Sequence, residues 1–325
     1  DMDLKQQADN KKLVFSTHNN SFIEVCDLLL SSCVINKISI IEYASLLEGR
    51  YIDESQNSYV FIGNKQEYIS GMKDFKPKNI QEVELENGSH LIVYGSSDVI
   101  VNKTEKTIQL TQKHLDDRIL IKNGMLNDWS IVFNGMIGGN LSKQRFDQNL
   151  ITGCLTFIDM KINNVNIEIN NAYCEDGVNL VRVNGNVNSI NVNNAKSDAI
   201  DIDFSKLLLN KITVKNAGND CVDFSFGDYQ INSSFLENCK EKAISVGEKS
   251  KLIINSVSIK NSITGIASKD SSEVFVSDVD IEDTLICFTA YNKKQEFWGG
   301  KLTVKDHNCQ SNQIVQEIGS LVEFI

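Results

Sequence analysis

Six stretches of this chain begin at intervals of 22 residues. They read DGVNLVR, DAIDIDF, DCVDFSF, KAISVGE, TGIASKD and ICFTAYN, starting at Asp176, Asp198, Asp220, Lys242, Thr264 and Ile286. The second position is always small: Gly177, Ala199, Cys221, Ala243, Gly265, Cys287. The third is always apolar: Val178, Ile200, Val222, Ile244, Ile266, Phe288. A column of one character repeated this often implies units that stack on one another, and periods of about 20–29 residues are solenoid periods.

Leucine-rich repeats share the period, but their leucine/asparagine signature and helical returns are missing here. Each unit instead reads as three short period-two strands separated by turns. The unit at 242 runs AISV, GEKS, KLII, NS, VSI, KNSI. Three strands per repeat make one coil of an all-β solenoid, a right-handed parallel β-helix whose strands stack about 4.8 Å apart. The second strand offers the inward column Val187, Leu209, Ile231, Ile253, Phe275, Phe297. The third offers Ile212, Phe235, Val257 and Val279, after a one-residue slip that we assign to a lengthened turn compensated further on. Asn210, Asn232, Asn255 and Gly299 fall at turns and suit left-handed backbone. One proline, Pro77, and asparagine clusters such as INNVNIEINNAY also suggest many tight turns.

Upstream of 150 the period blurs. ILIKNG and WSIVFNGMIGG (119–139) and CLTFIDMKINNVNIEIN (154–170) read as earlier, less regular coils, and 81–112 alternates like strands. The first 75 residues differ. SFIEVCDLLLSSCV (21–34) and SIIEYASLLEGR (39–50) space their apolar residues like helices, with Ser21 and Ser39 as N-caps. The expected organisation is a helical or mixed cap over 1–75, a β-helix over 76–311 and a capping tail over 312–325. A separate small α/β module at 1–75 is the alternative. Caps are expected because the open ends of a solenoid expose strand edges.

A net charge of −11 argues against nucleic acid as the main partner, since phosphate needs a basic surface. No run reaches the roughly 18 apolar residues of a membrane helix. No signal peptide is visible, and a start on Asp1 suggests a trimmed, exported form. The eight cysteines (26, 33, 154, 174, 221, 239, 287, 309) lack zinc spacing. Most sit beside apolar residues, which reads as buried thiols rather than as a disulfide framework, and leaves the cytoplasm open as a location. The glycine pairs in GGN (138–140) and WGG (298–300) lack the strand–glycine–helix context of a nucleotide site, so no organic cofactor is expected.

The repeat pattern over about 120–307 resembles the parallel β-helix proteins of the pectate-lyase-like superfamily. GNDCVDFSF…KAISVGEKSKLIINSVSIKNSITGIASKDSSEV is also similar to β-helix domains that bacterial genomes place beside spore-coat-type kinases. The resemblance implies that the first strand of each coil floors a substrate groove. A fold does not by itself fix an activity.

Alternation places Asn179, Asp201, Asp223, Ser245, Ala267 and Thr289 on the outer face of that strand, followed by Val181, Asp203, Ser225, Gly247, Lys269 and Tyr291. Asp201 and Asp223 become rung neighbours. Three readings compete. They form an acid and a base or nucleophile for glycoside hydrolysis, which needs two carboxylates about 5–9.5 Å apart. Or Asp201, Asp203 and Asp223 hold calcium that neutralises a uronate while Lys269, Lys242 or Arg182 removes its C5 proton. Or they are a solvated polar ladder. Asp176, Asp198 and Asp220 read as turn-binding carboxylates in a ladder closed by Lys242. Arg182, Tyr291, Lys293 and Trp298 are candidate substrate contacts, with Phe297 completing an aromatic wall and Lys294 attracting an acidic glycan. His18, His90, His114 and His307 lie outside the carboxylate columns. The expected function is processing of an extracellular or cell-envelope polysaccharide, acidic by preference. Lyase elimination comes first, with Lys269 or Lys242 as base. Hydrolysis by Asp201 and Asp223 comes second. A non-catalytic glycan-binding or structural solenoid is the reading from another class.

Overall fold

The structure is a computed structural model. It describes residues 79–138, 151–309, 311 and 313–325, together with the backbone of six strands among the first 78 residues. By compactness the chain divides into two units, 1–78 with 146–151, and 79–145 with 152–325. In the first unit, Lys12–Ser16, Ile23–Asp27 and Ser32–Asn36 make one antiparallel sheet. Gly49–Ile52, Ser58–Ile62 and Lys65–Ile69 make another. The expected helix over 21–34 is therefore a strand pair, in which the β-branched residues of IEVCD and SCVIN (Ile23, Val25, Val34, Ile35) prevail over a weak helical spacing. The helix expected over 39–50 lies almost wholly outside the described residues.

The second unit is an all-β parallel solenoid of about nine turns, with about 22 residues per turn. Every pair of neighbours in the apolar third-position column is a register pair: Val178 with Ile200, Ile200 with Val222, Val222 with Ile244, Ile244 with Ile266, Ile266 with Phe288. All six point inward and are buried. The small residues beside them are needed where the chain bends. A Cβ on Gly177 would come within 2.6 Å of the Ala199 carbonyl oxygen. At the other end of the unit the first parallel rungs are Thr107–Thr111 and Arg118–Lys122. Antiparallel strands Asp98–Asn102 and His90–Tyr94 pair with them, and Ile80–Glu84 pairs with the latter. The tail adds two short parallel rungs, Ile314–Gln316 against Phe288–Ala290 and Leu321–Phe324 against Lys301–Val304. Among the described residues, no helix is long and apolar enough to cross a membrane.

The one-residue slip exists, but it falls one coil later than the sequence suggested. Asp228 pairs with Lys251, 23 residues on, because Glu248 and Lys249 both adopt left-handed backbone and lengthen the turn. A register shift between Cys239 and Lys242 restores the 22-residue spacing. The second-strand column therefore continues Ile231, Ile254, Val276, Val304. Ile253 is 47% exposed, and Phe275 and Phe297 are half-buried. On the third strand Ser234 takes the inward place after Ile212, and Phe235 faces out.

The turn asparagines also differ. Asn210, Asn232, Asn255 and Gly299 are not left-handed; that geometry belongs to Asn171, Asn194, Asn216, Asn238 and Asn261, with φ between 55° and 64°. Each of the last four amides donates Nδ2–H to Oδ1 of the asparagine one coil before, at 2.7–3.1 Å. Asn210, Asn232 and Asn255 form a second ladder in extended backbone.

The cysteines overturn the free-thiol expectation. Cys154–Cys174, Cys221–Cys239 and Cys287–Cys309 are disulfides, with Cα atoms 5.4, 5.4 and 6.3 Å apart. The reason is the coil path. The column of small residues at Gly177 abuts the alanine column at Ala172, and Cys221 and Cys239 occupy those two columns in one coil. The side chains of Cys26 and Cys33 lie outside the described residues.

Candidate functional site

Asp201 and Asp223 are register partners on adjacent rungs, and so are Asp203 and Ser225. Their column is Thr156, Asn179, Asp201, Asp223, Ser245, Ala267, Thr289. It points away from the core, yet Thr156, Asn179, Ser245, Ala267 and Thr289 are buried. Between those buried positions the two aspartates retain partial exposure, with Asp203 and Ser225 beside them, and at its ends the column runs on to half-buried Leu120 and exposed Val315. The first-strand face is thus no open groove floor. It opens locally, at two coils.

The two carboxylates have unlike surroundings. Asp201 accepts a hydrogen bond from Asn179 Nδ2 at 3.0 Å. Burial, then the charges of Asp203, Asp176 and Asp223, push it well above the ordinary carboxylate range. Asp223 instead faces the Lys269 ammonium, Nζ to Oδ1 at 3.5 Å. Lys269 sits two coils further on and reaches back because the intervening residue is Gly247. A Cβ there would lie 2.7 Å from the Lys269 Cε. The lysine side chain is 5% exposed. Although burial opposes its charge, Asp223, Tyr291 and Glu248 hold it protonated above the usual lysine range.

A second ladder closes the strand entrance. The Asp220 N–H and Asn219 Nδ2 both donate to Asp198 Oδ1 at 2.8 Å. The Lys242 N–H donates to Asp220 Oδ1 at 2.9 Å, and its ammonium lies 3.3 Å from the same oxygen. Burial, then Asp176 and Asp220, push Asp198 up to about 8. Burial, then Asp223, push Asp220 up to about 6. At neutral pH, Asp220 stays ionised, and Lys242, held up by Asp220 and Glu241 against its own burial, stays charged beside it. From Asp198 through Asp220 to Lys242 the expected ladder closed by an ion pair is present, and Asp176 joins it as the register partner of Asp198.

The remaining expected contacts scatter. Arg182 is committed to Asp159, Nε to Oδ1 at 2.7 Å and Nη2 to Oδ2 at 3.2 Å. Tyr291 pairs in register with Lys269. The Lys293 N–H donates to Asp270 Oδ1 at 2.7 Å, which orders the loop, and its side chain is exposed. Trp298 is 84% exposed, its backbone tied to Ser271. Phe297 leaves that wall for another. Phe204 and Phe226 stack with centroids 4.9 Å apart, Phe297 meets Phe226 edge-on at 6.1 Å, and the Lys249 ammonium lies 5.7 Å from the Phe297 ring. This aromatic corner directly follows Asp203 and Ser225. Sequence reasoning missed it, although Phe204 and Phe226 are themselves one 22-residue period apart. It also missed Glu248, a buried carboxylate that accepts from the Ser225 hydroxyl and pairs with Lys294 at 2.5 Å.

The acidic cluster does not fit calcium. Asp223 is turned to an ammonium and Asp201 to an amide. Among the described residues, no three His, Cys, Asp or Glu side chains are grouped to hold a metal ion. His90 pairs with Glu82 and His307 packs between Phe288 and Phe324, both away from the acidic face. His18 lies outside the described residues. Comparisons of the chain with protein-family models, with curated proteins and with solved structures find no match.

Proposed function

We propose that this solenoid hydrolyses a polysaccharide laid against the local opening of its first-strand face, with Asp201 as proton donor and Asp223 as the charged partner. The observation that carries this reading is the unlike surroundings of two carboxylates on adjacent rungs. Asp201 is kept protonated by burial and by its acidic neighbours. Asp223 has a buried lysine to balance its charge. A carboxylate raised by its surroundings beside one that faces an ammonium assigns an acid and its partner. Adjacent rungs set them about 5 Å apart, the separation of retaining glycosidases, in which the second carboxylate attacks the sugar and water later releases it. Phe204 and Phe226, each 37% exposed, offer apolar surface beside the pair for a sugar ring.

The lyase expectation fares worse on the same geometry. Elimination needs Lys269 or Lys242 to accept a proton, and their carboxylate partners hold both in the charged form, the wrong state for a base. With its cations paired and its exposed groups acidic, this face favours a neutral glycan over an acidic one. The three disulfides among the described residues suit an oxidising compartment, so we place the protein outside the cell or in its envelope.

A panel of neutral and acidic polysaccharides tests this, followed by new reducing ends and by the ultraviolet absorbance of unsaturated uronates. The expected result is reducing ends without absorbance and with retained anomeric configuration. Asp201→Asn and Asp223→Asn should each lose at least about a hundredfold in turnover while staying folded. Absorbance rising with reducing ends would return the assignment to a lyase. Silence across the panel would favour a non-catalytic glycan-binding or structural solenoid. One observation already favours that second reading: Asn179, Ser245 and Lys269 are buried on the same face.

A further inference from the structure

A groove of about 930 Å³ runs along the corner where each third strand turns into the next first strand, from Tyr173 to Ile263. One wall is the left-handed asparagine ladder. The floor is made of small residues such as Ala195, Ala217 and Cys239. The position after each floor residue changes from coil to coil: Tyr173, Lys196, Gly218, Lys240, Ile263. A Cβ on Gly218 would lie 1.7 Å from the Lys196 carbonyl oxygen, so this coil carries no side chain and leaves a notch between two lysines. Lys196 and Lys240 are exposed and, among the described residues, make no ion pair. In a chain of net charge −11, two unopposed lysines in one groove are a local exception.

We propose that this groove binds a linear glycan bearing an anionic group on alternate sugars. The ladder supplies the first half of the match. Each amide spends one N–H and one acceptor position on its neighbours and keeps the others, so the wall offers donors and acceptors alternately, as sugar hydroxyls require. The lysines supply the second half. They stand two rungs apart, about 10 Å, with a gap between them that holds no charge. A polymer charged on every sugar would set an anion over Gly218, where nothing pairs with it. Tyr173 and Ile263 give apolar surface at the two ends. A duplex or single-stranded nucleic acid would need more cations than two. The inference does not rest on catalysis at the acidic face.

The test is calorimetric titration of the intact protein with hyaluronan oligosaccharides, whose carboxylates alternate, against oligogalacturonate, neutral dextran and poly-L-glutamate. Hyaluronan should bind best, with affinity falling as salt rises. Lys196→Gln with Lys240→Gln should weaken it roughly tenfold at unchanged melting temperature, and the paired Arg substitutions should restore it. Stronger binding of oligogalacturonate, equal binding of dextran, preference for polyglutamate, or a double Gln variant that binds like the parent would each overturn the proposal.

Discussion

Two columns on the same coils follow opposite rules. From Asn171 to Asn261 every coil contributes the same residue, with the same left-handed backbone and the same amide link to its neighbour. From Thr156 to Thr289 the outer column of the first strand holds five residue types at seven positions, and its two carboxylates stand at adjacent places in the middle. A solenoid gains stability by stacking like on like, because each coil then satisfies the next. A uniform column needs no other explanation. A column that breaks uniformity gives up that gain, and Asp201 beside Asp223 gives up more than most, since like charges on adjacent rungs repel. Departures from repetition are where chemistry specific to one place can be sought.

The sharpest way to break this comparison is to remove the cation that the irregular column depends on. Lys269→Met keeps the shape of the stem over Gly247 and deletes the charge facing Asp223. Breaking a buried pair costs about 3–5 kcal/mol; Asp223 keeps 23% side-chain exposure, so a loss of about 3 kcal/mol in urea unfolding is expected. Adding Asp223→Asn should recover most of it. If Lys269→Met alone melts like the parent, the pair is a surface ornament and the acid–base assignment loses its charged partner.

The period, the inward column and the rung pairing of Asp201 with Asp223 were legible because each depends on sequence separation alone. What depends on the path between strands was not. Two residues, Glu248 and Lys249, lengthen one turn. That single insertion moved Ile253 and Phe275 off the inward face, since a one-residue shift reverses every side chain of a strand, whereas Phe235 lies before it at an unbroken spacing from Thr213, and Phe297 sits in the loop that precedes Lys301–Cys309. The disulfides were hidden for a related reason. Cys221 and Cys239 each sit in a column of small residues, but nothing in the spacing says that the two columns touch. The reach of Lys269 across Gly247 was likewise invisible, because it spans two coils rather than one.

A smaller effect separates the strand entrance from its neighbours by pH. The folded state raises Asp198 to about 8 from an ordinary value of 3.8. Below that ordinary value both folded and unfolded chains hold the proton. Between the two values the folded chain keeps it and the unfolded chain has released it, so stability falls as pH rises, and the fall ends above about 8. Asp198→Asn removes this contribution while its Oδ1 still accepts from Asn219 and Asp220. Thermal melts should show the variant equal to the parent near pH 4 and increasingly more stable than it as pH rises to 8. A constant offset across that range would mean that Asp198 ionises normally.

The smallest effect tests the uniform column against the second ladder, where asparagines stack without left-handed backbone. Asn216 and Asn232 each donate to the asparagine one coil before and accept from the one after. Losing these links should cost about 1 kcal/mol at either site. The backbone then sets them apart. At Asn216, φ is 64°, which alanine resists by about 1 kcal/mol and glycine tolerates, so Asn216→Ala should be worse than Asn216→Gly. Asn232 lies in extended backbone inside the strand Asp228–Gly247, where glycine pays extra chain entropy, so there Asn232→Gly should be worse than Asn232→Ala. Crossed orders in urea midpoints would show that the first ladder is selected for backbone shape and the second for its amide links alone. The same order at both sites would mean that the amide chain stabilises both, and that left-handed geometry follows from stacking rather than directing it.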